Sequence, residues 1–174
     1  MKNIFLTGEV GVGKTTVIQK TLSLLLSAEC GGFRTVSTTP ITKGAILDVF
    51  IEKAWAQTPH DTEHLVGSRL SDGHFTSYTS AFDTIGTSIL ASCPINAKLI
   101  IMDELGLMES DAKKFQTAVM DTLDGSIPVL GVIKPKHSDF LDAIRAHKRS
   151  EIFVVTKDNR ETLPFVLASM LLRD

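Results

Sequence analysis

Cysteine is scarce in this 174-residue chain: Cys30 and Cys93 stand far apart, outside any CxxC or Cys/His ligand spacing. That excludes a disulfide framework and a structural zinc site, and points to a reducing, cytoplasmic setting. Long apolar runs are missing too. No stretch approaches the roughly 18 apolar residues that span a bilayer, and Ile4-Phe5-Leu6 is too short for the core of a signal peptide. No membrane partner is expected. A basic excess is also absent, with 18 Lys and Arg against 20 Asp and Glu for a net charge of −2. This argues against a protein that coats nucleic acid or an anionic membrane, so any polyanion contact must be local. There is no internal repeat and no low-complexity tract, and 43% hydrophobic residues exclude disorder, collagen and coiled coil. Residues 1–174 read as a single domain, large enough to bury a core without covalent staples.

Four short apolar runs are present: Ile4 to Leu6, Leu99 to Met102, Ile127 to Ile133 and Ile152 to Val155. Being continuous rather than alternating, they read as strands buried on both faces of a parallel sheet. Helical patterns separate them. Lys14 to Leu26 carries Val17, Ile18, Leu22, Leu25 and Leu26 at helical spacing, and Gly31-Gly32 is expected to stop it before a strand from Phe33 to Ser37. A helix is expected over about Phe82 to Ala91. Ser110 is expected to cap another through Leu123, ending at Gly125, and Ser138 a third running to about His147. A last helix after Asn159 places Pro164 in or near its first turn. Strands alternating with helices predict an α/β three-layer sandwich around a mainly parallel sheet.

Residues 39–82 break that rhythm. Leu47, Val49 and Ile51 alternate as in a strand, but the polar, Ser/Thr/His-rich stretch from Gln57 to Ser80 reads as a long loop. Loops of that length in a compact domain are commonly functional, so this segment is expected to be a substrate-side insertion or lid.

Gly8-Glu9-Val10-Gly11-Val12-Gly13-Lys14-Thr15 satisfies GxxxxGK[ST] at every fixed position, directly after an apolar strand and before a helix. At average residue frequencies, a chance match in a chain of this length has a probability on the order of 1%. Glycines let the loop wrap with its N–H groups pointing inward at phosphate, and the following helix adds the positive end of its dipole. Lys14 can reach the β and γ phosphates, and the Thr15 hydroxyl is a hard oxygen suited to Mg²⁺. Without an anion, a lysine in the first turn of a helix would oppose that dipole. The nucleotide-binding set is therefore Gly8, Glu9, Val10, Gly11, Val12, Gly13, Lys14, Thr15 and Thr16, with a nucleoside triphosphate as partner. Nothing in the sequence explains Glu9.

Leu99-Ile100-Ile101-Met102-Asp103-Glu104 is an apolar strand ending in two carboxylates, a Walker B pattern. Asp103 is expected to join Thr15 in holding Mg²⁺, and Glu104 to polarise water against the γ-phosphate. Lys14 and Glu104 are the candidate catalytic pair. Asn159 and Arg160 follow a strand at the carboxyl edge of the sheet, where nucleotide folds place base-binding loops; a helix N-cap and a surface arginine are the alternative. The Arg145, His147, Lys148 and Arg149 cluster suits a helix carboxyl end. His60 and His64 stand four apart without a third ligand, and Asp61 stands where the HExxH zinc pattern needs glutamate, so a solvated loop is expected there.

In its amino-terminal Ile4-Phe5-Leu6-Thr7-Gly8 with the P-loop, the chain resembles the small P-loop nucleoside-triphosphatases of the cancer-related type. So it does in Met102-Asp103-Glu104-Leu105-Gly106-Leu107-Met108-Glu109, Val129-Leu130-Gly131-Val132-Ile133 and Val155-Thr156-Lys157-Asp158-Asn159-Arg160. The likeness covers residues 1 to about 36 and 97–172. Between them, Val36 to Gly44 offers only Lys43 as a charge, and echoes of the family pattern are confined to Gly73-His74-Phe75 and Phe82-Asp83. The resemblance implies a P-loop NTPase fold and Mg²⁺-dependent hydrolysis of several nucleoside triphosphates to diphosphate and phosphate, with little base selectivity. Two alternatives stay open: a small nucleotide or metabolite kinase, in which residues 39–80 bind an acceptor, and a nucleotide-gated interaction module. Arg69 is the only arginine between Arg34 and Arg145, whereas nucleotide kinases commonly use several in a lid, so hydrolysis leads.

Overall fold

The computed structural model describes residues 2–25 and 29–172. Its strands are β1 (Asn3–Thr7), β2 (Cys30–Thr38), β3 (Ala45–Lys53), β4 (Leu65–Leu70), β5 (Phe75–Ser77), β6 (Leu99–Leu105), β7 (Val129–Ile133) and β8 (Ser150–Val154). The helices are α1 (Lys14–Leu24), α2 (Thr79–Ala81), α3 (Thr87–Ala91), α4 (Lys113–Asp124), α5 (Asp139–Ala146) and α6 (Leu163–Leu172), with a π-helical turn, Phe82–Gly86, joining α2 to α3. All eight strands form one sheet in the order β5-β4-β3-β2-β6-β7-β1-β8. From β2 to β8 every neighbouring pair is parallel, while β3, β4 and β5 extend the sheet antiparallel. The result is the α/β sandwich expected of the apolar runs.

Alternation of side chains along each strand divides the buried residues between two faces. Ile4, Leu6, Ile101, Leu130 and Val132 pack against Val17 and Ile18 of α1 and Leu163 and Leu167 of α6. On the opposite face Phe5, Phe33, Ile51, Met102 and Ile133 pack against Phe82, Ile89, Phe115, Val119 and Leu141. Each such burial removes a large apolar side chain from water, worth roughly 1.5–3 kcal/mol. Because both faces are covered, the central strands carry no polar face, and their continuous apolar runs follow from that. One polar side chain is buried at the seam: Asn3 donates from Nδ2 to the Leu123 carbonyl at 2.9 Å and accepts from the Val129 N–H at 3.2 Å. It ties β1 to the end of α4 and the start of β7.

Three sequence expectations are corrected. Gly31 and Gly32 lie inside β2 rather than ending a helix. They are glycines because the sheet is tight there: a Cβ on Gly32 would come within 2.0 Å of the Ile101 carbonyl oxygen. The helix α1 stops earlier, at Leu24, and Leu26 lies outside the described residues. Ser110 does not cap α4, which begins at Lys113 after Ala112. The Ser110 hydroxyl instead donates to the Leu107 carbonyl at 2.8 Å, closing the preceding turn. The cap comes from elsewhere in the chain: Asp83 Oδ1 accepts the Phe115 N–H at 3.0 Å, satisfying a first-turn donor. Ser138 does cap α5, accepting from the Leu141 N–H at 3.2 Å.

The third correction concerns residues 57–80, expected as one long loop. Much of this stretch is β4, β5 and the start of the helical segment, so the sheet's antiparallel wing is built from it. Asp48, fully buried on β3, organises the wing. Its carboxylate accepts from the Ile41 N–H at 2.7 Å, the Thr42 N–H at 2.8 Å and the Ser68 hydroxyl at 2.6 Å. No helix among the described residues is long and apolar enough to cross a membrane.

Candidate active site

Strand β1, between β7 and β8, delivers the chain to the loop that follows it. Gly8, Gly11 and Gly13 take φ angles of +139°, +76° and +107°, a region where L side chains are strained. Gly8 has a second reason to lack a side chain, because a Cβ there would lie 2.6 Å from the Val155 carbonyl oxygen. Glycine at this position lets the loop close against the end of β8. The loop then enters α1 through Gly13, with the Val17 N–H donating to the Gly13 carbonyl at 2.9 Å. No acidic residue sits in the first turn of α1, so its dipole end is left to an external anion.

Lys14 is only 8% exposed. Its ammonium donates to the carbonyls of Gly8 at 3.0 Å and Glu9 at 2.8 Å, which holds it over the loop. Glu9 thus serves through its backbone, and its side chain is exposed. Val10 is exposed at the tip of the loop, whereas Val12 packs into the core beneath it. Thr15 and Thr16 are exposed at the start of the helix.

The two carboxylates lie at an irregularity of the sheet. Met102 pairs with Gly131 and Leu105 with Ile133, so β6 advances three residues while β7 advances two. Extra residues of this kind re-aim side chains, and the ones displaced are Asp103 and Glu104. The strand therefore continues to Leu105 instead of ending at the acidic pair. Asp103 is 8% exposed. Burial raises its pKa, offset in part by a hydrogen bond from the Thr15 hydroxyl and by the charges of Lys14 and Arg34, while Glu104 adds to the rise. Glu104 turns the other way, pairing with Lys134 at 2.9 Å, and its backbone N–H donates to Thr35 Oγ1 at 3.3 Å.

These elements enclose a cleft of about 490 Å³. Gly8, Val10, Gly11, Gly13, Lys14, Thr15 and Thr16 form one wall; Glu104, Lys134, Pro135 and Lys136 form the other. Three lysines face one carboxylate, a charge balance suited to a polyanion. Lys134 and Lys136 were missed in the sequence. Their position directly after the apolar run Val129–Ile133, at the same sheet edge as Asp103, was the available signal.

Asn159 and Arg160 do not line this cleft. Asn159 spends its side chain on its own loop, accepting from the Thr156 N–H and donating to the Val154 carbonyl, both at 2.9 Å. It is no helix cap either, since α6 starts at Leu163. Arg160 lies beside the phosphate loop, 3.5 Å from the Val12 carbonyl oxygen, with its stem across Gly13. Of the basic cluster, Arg149 caps a helix carboxyl end as expected, donating to the carbonyls of Asp124 and Gly125 at the end of α4, whereas Arg145 donates to the carbonyls of Lys134 and Lys136 in the loop after β7. His60 stacks on Phe50 and pairs with Glu52, while His64 pairs with Asp61 at 2.7 Å.

Behind the cleft lies a carboxyl that the sequence did not single out as a site residue. Glu109 is 1% exposed and accepts the Gly106 N–H at 2.9 Å. Burial is the main cause of a pKa pushed up to about 7, with Glu104 adding to it and backbone N–H groups and Lys134 opposing it. The folded protein therefore holds a proton that the unfolded chain, near 4.5, has released. Stability falls as pH rises between about 4.5 and 7, by up to about 3 kcal/mol from this group. Glu109→Gln, neutral throughout, is expected to lose that dependence. Thermal melts should show the variant gaining on wild type from pH 5 to pH 8, and parallel curves would contradict the assignment.

A strand, a glycine loop that seats a lysine and a helix, with a buried aspartate beside the threonine that follows the lysine, define a P-loop nucleotide-binding protein. Comparison with known proteins narrows this. Residues 3–168 match the NTPase family, and the chain belongs to it. The nucleoside-triphosphatase THEP1 of Natranaerobius thermophilus is 31% identical over 97% of this chain and 96% of its own length. The cancer-related nucleoside-triphosphatase homolog of Mus musculus is 32% identical over 93% and 92%. The crystal structure of THEP1 from the hyperthermophile Aquifex aeolicus shares the fold, with a TM-score of 0.73 at 24% identity over 98% of this chain and 99% of that one.

Proposed function

We propose that the protein hydrolyses nucleoside 5′-triphosphates to the diphosphate and phosphate, dependent on Mg²⁺ and with little selection among bases. One observation carries the reading: the Glu104 carboxylate faces the same cleft as the phosphate loop and its lysine. A carboxylate there can take a proton from water as the water attacks the γ-phosphorus and the bond to the bridging oxygen breaks. Lys134 orients that carboxylate through their 2.9 Å ion pair. Lys14 and Lys134 offset phosphate charge, and the inward N–H groups of the loop bind the phosphate oxygens. The names of the relatives, nucleoside-triphosphatases, support the same activity.

The Thr15 hydroxyl and the Asp103 carboxylate are hard oxygen donors that line one pocket, a donor set that suits Mg²⁺. These two residues would hold the ion, which when bound supplies positive charge to the phosphate oxygens. Broad base tolerance is supported by the cleft lining, which offers lysines and backbone but no side-chain amide to read a base edge. The two free cysteines fit a reducing cytoplasm.

Phosphate release should be measured with ATP, GTP, CTP and UTP, with Mg²⁺ and after chelation. All four are expected to be hydrolysed within about tenfold of one another and to stop without the metal, and Asp103→Asn should raise the Mg²⁺ requirement. Release from none of them would overturn the proposal. Transfer to a small acceptor instead would establish the phosphotransferase alternative, and tight binding with neither activity the gated module.

A further inference from the structure

The antiparallel wing carries a second cleft, of about 550 Å³, on the other side of Glu104. Strand register builds it. Leu47, Arg69 and Phe75 are successive cross-strand partners on β3, β4 and β5 and so project from one face. Val49 and Ser77 flank Gly67 in the adjoining row of that face. Leu47, Val49 and Phe75 give the cleft an apolar floor, and Glu104, Lys134 and Lys136 form a wall that it shares with the phosphate cleft. Phe75 is 45% exposed, a large aromatic surface left open within a built concavity.

The charges in this second cleft do not cancel. Lys134 is matched by Glu104, and among the described residues neither the Arg69 guanidinium nor the Lys136 ammonium has a hydrogen-bond or ion-pair partner. Two unmatched cations above an apolar floor complement a dianion attached to an apolar body. We propose that this cleft is a binding site for an organic phosphate monoester, whose dianion lies between Arg69 and Lys136 and whose body covers Leu47, Val49 and Phe75. Its shared wall lets the monoester occupy the cleft while a nucleotide fills the phosphate loop. Guanidinium is the cation best shaped for two phosphate oxygens at once, so Arg69 is the anchor.

The probes are phenyl phosphate, adenosine 5′-monophosphate and inorganic phosphate, titrated calorimetrically into the full chain after its phosphate loop is saturated with Mg²⁺ and ADP. Wild type is expected to bind both monoesters saturably, and inorganic phosphate at least tenfold more weakly because it lacks a body to cover the floor. Arg69→Ala should weaken both monoesters tenfold or more, and Phe75→Ala should weaken them while leaving inorganic phosphate unchanged. ADP affinity and basal phosphate release should be unaltered in both variants. A parallel titration of Lys14→Ala, which lacks the loop cation, should show monoester binding intact. Three results would overturn the site: no saturable monoester binding, equal affinity in Arg69→Ala, or binding lost in Lys14→Ala, which would place the probes in the phosphate loop. Failure of hydrolysis alone would leave these binding results standing, so the two readings are separable.

Discussion

Replacing Glu104 with glutamine is expected to lower turnover about 100-fold or more while nucleotide affinity stays within a few-fold of wild type. The substitution keeps the size of the side chain but removes the carboxylate that would accept a proton from water. It also ends the ion pair with Lys134, yet both partners are partly exposed, at 28% and 39%, so the loss of stability should be slight. Single-turnover phosphate release together with calorimetric titration separates the two quantities. Turnover at the wild-type rate would remove Glu104 from the reaction, whereas a parallel loss of affinity would recast it as a binding residue. The chemistry then hinges on one side chain displaced toward the cleft by an irregularity in β6.

Lys14→Ala is expected to abolish measurable triphosphate binding at concentrations that saturate wild type, a loss of at least about 100-fold. A charge-assisted hydrogen bond to phosphate contributes roughly 1.5–3 kcal/mol, and the site also loses the charge that offsets repulsion between the triphosphate and Glu104. The fold should survive. Removing the ammonium frees only the Gly8 and Glu9 carbonyls, which border a solvent-filled cleft where water can replace the lysine. Calorimetry with ATP and GTP and a melting curve are sufficient. Equal affinity in the two proteins would sink the assignment of residues 8–16 as the nucleotide loop.

The parts of the site legible in the sequence are the contiguous ones. Gly8 to Thr15 encode strand end, loop and helix start in a single run, and Asp103 and Glu104 follow directly from an apolar strand, so spacing alone carries them. Lys134 and Lys136, in the loop after β7, and Arg69, on β4, are brought together only by the sheet order, and each alone is an ordinary surface cation. Asp83 is hidden for the same reason: it caps a helix 32 residues away in sequence. Of the wing, β3 is legible in its alternation, but β4 and β5 are not, because their inward positions are not all apolar. Ser68 and Asp48 are both fully buried and satisfy one another at 2.6 Å, which erases the alternation that would mark β4. Gly31 and Gly32 misled in the opposite sense, since residues that commonly end helices stand here where a strand has no room for side chains.

The position of β1 has a consequence for synthesis of the chain. Its hydrogen-bonded neighbours are β7 and β8, so every strand partner of residues 3–7 is supplied by residues 129–133 and 150–154. During synthesis the phosphate loop emerges long before β7 and β8, the two strands that flank β1. The hairpins β2–β3, β3–β4 and β4–β5 close between near neighbours and can form early, because short loops cost little entropy to close. Nucleotide binding is therefore a late acquisition of the growing chain, and a product released before residue 129 has the loop's sequence without the strands that hold it in shape.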